Sequence, residues 1–89
     1  MFTAKIITPT GDAIEREVER LSIPTTDGIR TLLGHHVETV IPLQAGEVVF
    51  ITERDRETVK ISDGIFQFSD NKARLLVNEI IESEAKEEN

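Results

Sequence analysis

Turn-forming residues punctuate this chain at intervals of about eight to twelve residues, a spacing that favours short extended segments. The breaks fall at Pro9-Thr10-Gly11-Asp12, Thr25-Thr26-Asp27-Gly28, Gln44-Ala45-Gly46, Glu53-Arg54-Asp55-Arg56, Asp63-Gly64 and Ser69-Asp70-Asn71-Lys72. Proline presets φ and glycine accepts a positive φ, so each cluster has a mechanism for turning the chain. Between the breaks, polarity alternates. Phe2, Ala4 and Ile6 share one face, with Thr3, Lys5 and Ile7 on the other. Thr58 to Ser62 alternates in the same way, the mark of a half-buried strand. Glu47 to Thr52 is apolar on both parities, which predicts a strand covered on both faces.

Two segments are less regular. In Ala13 to Ile23 the phase breaks: Ile14 and Val18 share a parity, and Leu21 and Ile23 take the other. A bulge or bend near Glu19-Arg20 reconciles them and lets one long strand serve two sheets. A helix over Asp12 to Leu21, capped by Asp12, competes with that reading. Pro42 cannot donate to a ladder, so Val37 to Leu43 is an edge strand or a loop at that point. The expected fold is all-β: an antiparallel β-sandwich or flattened barrel of about eight to ten short strands. One domain spans residues 1–78. Residues 79–89 form an acidic tail, with five Glu against one Lys, expected to be frayed or a short helix.

Composition excludes several function classes. The formal net charge of −7 repels phosphate backbones, so nucleic-acid binding is not expected. There is no cysteine, hence no disulfide or thiolate metal site. No apolar run approaches the roughly 18–20 residues that span a bilayer, and the N-terminus lacks a secretory pattern. His35 and His36 are the only histidines, and adjacent strand positions point to opposite faces. They fit no common metal-ligand spacing. Glu15, Glu17 and Glu19 form one stripe on a strand, read most simply as a solvent face. No nucleophile elbow, phosphate loop or cofactor motif occurs. No catalytic, cofactor or metal residue is expected.

From Pro24 to Gly46 the pattern becomes specific. Ile6-Ile7-Thr8-Pro9-Thr10-Gly11 is followed by an acidic strand. Then come Pro24-Thr25-Thr26-Asp27-Gly28, Leu32-Leu33-Gly34-His35-His36 and Leu43-Gln44-Ala45-Gly46. Ser62 to Phe68 and Asn71 to Leu76 continue the series. This ordered set resembles the N-terminal β-sandwich domain of the epsilon subunit of F-type ATP synthases, over about residues 2 to 78. The family usually has Gly at Thr31, Pro-Gly at Gly34-His35 and Ala-Pro at Val37-Glu38. Most members continue into a C-terminal helical hairpin where this sequence ends, which reads as a short natural form or as a piece of a longer chain.

The resemblance implies a non-catalytic part of the central stalk of a proton-translocating synthase. It would bind the gamma subunit and the c-ring, without a cofactor, and couple rotation to ATP synthesis. Ile29, Arg30 and Thr31 would meet the polar loops of the c-ring. His36 and Glu38 would lie near gamma and the ring. The implied location is the cytoplasmic face of the cell or inner membrane, held there through the complex, with the isolated chain soluble. Two other readings stand beside it. One is a free-standing β-sandwich module that binds a ligand or protein. The other is a small enzyme using His35 and His36.

Overall fold

The computed structural model describes residues 1–34 and 38–85, with side chains described as far as Ile81. Ten strands follow in chain order: β1 (Phe2–Ile7), β2 (Ala13–Val18), β3 (Arg20–Thr25), β4 (Gly28–Leu33), β5 (Thr39–Leu43), β6 (Gly46–Ile51), β7 (Arg56–Ile61), β8 (Gly64–Ser69), β9 (Lys72–Val77) and β10 (Ile80–Ala85). They form one sheet in the order β10-β7-β6-β3-β5-β8-β9-β1-β2, with β4 on the other edge of β3. The sheet curls over itself, so its halves face each other across one core. The expected all-β sandwich is the fold.

Alternation places the core. Ala4 and Ile6, Leu21 and Ile23, Val59 and Ile61 lie two apart on their strands and lose all solvent contact. The Phe2 ring meets the edge of Phe68 at 5.6 Å between centroids, and Phe66 stacks parallel to Phe68 at 6.4 Å. Three of the four phenylalanines thus fill one half of the curl.

The phase break falls where the halves join. Val18 and Leu21 are both fully buried although their parities differ, because the chain bends at Glu19. The Glu19 amide donates to the Ile51 carbonyl at 2.9 Å. β2 therefore pairs with β1, whereas β3 pairs with β4 and β6. The competing helix does not form. One edge of β3 serves two partners, β6 along Arg20–Ser22 and β5 at Thr25↔Leu43. Apart from that single register, β5 pairs only with β8, so Pro42 sits on a strand with one largely open edge, as its missing donor requires.

Two features depart from expectation. The β1–β9 pair is parallel, so the sheet is not wholly antiparallel. Turn chemistry reports only hairpin neighbours, and β1 and β9 are joined by no hairpin. The tail is the second departure: within it Ile80–Ala85 is a strand antiparallel to β7, rather than frayed or helical, and residues 86–89 lie outside the described residues. A register shift between Ile80 and Glu82 absorbs the paired isoleucines. Ile80 packs against the core, and Ile81 is left exposed. The connection into β10 is held by the preceding crossover: the Ser62 amide donates to the Glu79 carbonyl at 3.1 Å, and the Glu79 amide to Ser62 Oγ at 3.0 Å.

Candidate partner interface

The β3–β4 hairpin is built by its own residues. Gly28 takes φ +113°, a conformation that L side chains resist. Thr25 Oγ1 donates to the Gly28 carbonyl at 2.6 Å and accepts from the Asp27 amide at 3.1 Å. The turn is therefore fixed even though its side chains are wet. Beyond it, Ile29, Arg30 and Thr31 are all exposed, and Ile29 keeps 78% of its surface.

The expected contact residues do not converge. β4 carries the chain from Gly28 at the tip to Leu33 at the far end, about 17 Å for five extended steps. Gly34 lies there beside Phe2 and Asn71. Glu38 is at that far end too, with Thr39, Val40, Gln67 and Arg74 around a shallow depression of about 320 Å³. Ile29, Arg30 and Thr31 thus form one cluster and Glu38 belongs to another. His36, together with His35, lies outside the described residues.

A further set of exposed residues was not singled out in the sequence. Register aligns Pro42 with Ile65, Ile65 with Leu76, and Leu76 with Ile7, across four neighbouring strands. All four point away from the core, since their alternates Ile41, Phe66, Leu75 and Ile6 are buried. Ile65 and Leu76 keep 47% and 41% of their surface. The result is an apolar row on the outer face, where strand alternation calls for polar residues. It ends on the same side as the hairpin tip, because Thr25 pairs with Gly28 on one edge and with Leu43 on the other. The signal in the sequence was an apolar residue at the outward parity of four strands. Only the register reveals that they line up.

Nothing else described suggests chemistry. Among the described residues no group of three His, Cys, Asp or Glu could hold a metal ion. No helix there is long and apolar enough to cross a membrane. The surface depressions hold about 190–320 Å³ each, at or below the small end of ligand pockets, about 300–1,000 Å³. Arg16 of β2 forms a paired-oxygen ion bridge to Glu57 of β7, at 2.8 and 3.1 Å, which ties one end of the curled sheet to the strand beside its other end. The hydrogen bond to Glu57 raises the Arg16 pKa above its ordinary value, against a smaller opposing effect of desolvation.

Comparison with known proteins identifies this architecture. The family described as "ATP synthase, Delta/Epsilon chain, beta-sandwich domain" matches residues 1–83. The ATP synthase epsilon chain of Chlorobaculum tepidum is 31% identical over 80 residues, which cover 89% of this chain and 91% of that one. The epsilon chain of Bacillus thuringiensis is 31% identical over 75 residues, but the match spans only 56% of its length. Among solved structures, the Euglena gracilis mitochondrial ATP synthase (OSCP/F1/c-ring) contains a chain similar in fold. The TM-score is 0.74 at 21% identity, over 88% of this chain and 51% of that one. A chain in the central stalk and c-ring structure of the Tetrahymena thermophila mitochondrial ATP synthase gives 0.71 at 12% identity, over 89% and 64%. The curled sheet, its hairpin tip and the ordered turn motifs are therefore those of a known domain, and the chain belongs to the ATP synthase epsilon-chain family, in its β-sandwich part.

Proposed function

We propose that the chain acts as a non-catalytic central-stalk subunit of a proton-translocating ATP synthase, where it binds the gamma subunit and rests on the c-ring. The observation that carries this reading is the apolar row of exposed Pro42, Ile65 and Leu76 with half-buried Ile7, on a domain of net charge −7 and next to the exposed tip at Ile29. A row of that kind on a small domain suits burial by a protein partner. In this reading Ile29, Arg30 and Thr31 meet the ring loops, His36 and Glu38 lie near gamma and the ring, and the apolar row is covered by gamma. Rotation of the ring would then be transmitted to gamma through a rigid sandwich and coupled to ATP synthesis in partner subunits. The chain would be held peripherally, on the cytoplasmic face of the membrane, through these contacts.

The test is reconstitution. Purified chain and gamma should co-elute as a stable complex, and membranes depleted of the chain should hydrolyse ATP with reduced proton pumping until it is added back. If gamma ignores the chain and pumping stays fully coupled without it, the reading fails.

A further inference from the structure

The end of the sandwich away from the hairpin tip carries the opposite character. Arg56 of β7 stands directly across from Ile51 of β6, and Ile51 directly across from Arg20 of β3. Neighbouring strands lie about 4.8 Å apart, so the two arginine backbones straddle Ile51 at about 10 Å. All three residues point outward, because their neighbours Phe50 and Leu21 face the core. Ile51 nonetheless keeps only 7% of its surface. The aliphatic stems of flanking arginines can cover an outward isoleucine while their guanidinium heads stay in water.

The β6–β7 loop completes the group. The Thr52 amide donates to the Asp55 carbonyl at 2.9 Å, and the Asp55 amide donates to Thr52 Oγ1 at 3.1 Å. That closed loop brings Arg54 to the rim of a depression of about 280 Å³ shared with Arg20, Arg56, Glu53 and Asp55. The ion pair of Arg16 and Glu57 is separate. Arg20, Arg54 and Arg56 have no ion pair among the described residues.

We infer that this depression binds a phosphate-bearing anion through the guanidinium groups of Arg20, Arg54 and Arg56. Three cations against two carboxylates leave a surplus positive charge within a chain that is otherwise strongly acidic. Planar guanidiniums present paired donors that match phosphate oxygens. Ile51 is the one apolar residue in the lining, so the site offers no bed for a nucleobase or an acyl chain and takes the phosphate group itself. The source of that group is a soluble phosphate compound or a phospholipid headgroup. The inference does not depend on the stalk reading.

The test uses the full chain, isotopically labelled, titrated with pyrophosphate at constant ionic strength and followed by NMR. Saturable shifts are expected at Arg20 and across Ile51 to Arg56. Arg54→Gln, on an exposed loop, should weaken binding by about tenfold or more, the loss expected for a charged hydrogen-bond partner. Arg20→Lys, which keeps stem and charge but removes the fork, should weaken it as well. Arg74→Gln, on another strand, should leave it unchanged. The dispersion of each spectrum reports folding independently of binding. Shifts that never saturate, or an affinity that Arg54→Gln and Arg20→Lys leave intact, would overturn the inference. Sedimentation with phosphatidylcholine vesicles, with and without phosphatidic acid, identifies the source. Association that needs phosphatidic acid and is released by pyrophosphate points to a headgroup. Pyrophosphate binding without association points to a soluble phosphate.

Discussion

At the scale of single residues, two glycines are irreplaceable for different reasons, and the difference is measurable. A Cβ on Gly64 would collide with the backbone carbonyl of Leu76 and approach the Val77 Cα at 2.8 Å. Backbone in a sheet cannot step aside as a flexible side chain can, so Gly64→Ala should cost about 2 kcal/mol or more. A Cβ on Gly28 meets nothing within 4 Å, and its only penalty is the φ of +113°. Gly28→Ala should therefore cost about 1–2 kcal/mol. Thermal melts of the two variants should rank in that order. Both positions were legible in the sequence as turn signals, Asp63-Gly64 and Asp27-Gly28. What the sequence could not reveal is that Gly64 is also a point of contact with β9. The Arg16–Glu57 bridge is a weaker matter. The Arg16 side chain is 47% exposed, so solvent screening holds the pair to about 1 kcal/mol or less. A double-mutant cycle with Arg16→Gln and Glu57→Gln should give a coupling of that size that shrinks in about 1 M salt. The sign of its pH dependence follows from the raised Arg16 pKa. On the alkaline side the arginine's contribution is lost as pH rises through its folded value, far above neutrality, so it stays constant across neutral pH.

At the scale of elements, local pattern read well wherever a strand was half-buried, and failed where the decisive partner was remote. The parity break between Val18 and Leu21 foretold the bend at Glu19, because burial of both residues leaves the backbone no straight path. The tail was misread because Ile80 and Ile81 are adjacent, which spoils alternation, and because its polar remainder has no visible reason to pair. β7 supplies that reason as an open edge, and the register shift lets Ile80 turn inward. This makes β10 testable. Ile80→Ala should lower stability by about 1–2 kcal/mol, part of the cost of a fully buried isoleucine, while Ile81→Ala, at 57% exposure, should stay within about 0.5 kcal/mol. Urea titration separates the two. Equal and negligible effects would mean that β10 does not dock in solution.

For the whole molecule, the ordered turn motifs carried the family and the class of fold, but not the order of strands. The parallel β1–β9 pair and the sharing of one β3 edge by β5 and β6 are choices among distant segments, and no local rule ranks them. The same blindness hid the apolar row. Ile7, Pro42, Ile65 and Leu76 stand one to a strand, and only the register makes them one surface. If that surface is where gamma sits, its chemistry and the stability of the isolated domain should separate cleanly. Ile65→Asp and Leu76→Asp replace side chains already 47% and 41% exposed, so each should shift the unfolding midpoint only slightly. In a packed interface the same carboxylate would be stripped of water without a partner, a penalty of several kcal/mol. Binding to gamma, measured by calorimetry on the purified pair, should then fall by about a hundredfold or more for each variant. Ile29→Asp, at the tip, should leave gamma affinity near its starting value and impair only the assembled complex, if that tip meets the ring. Full affinity in both row variants would move gamma to another face and leave the apolar row without an assigned partner.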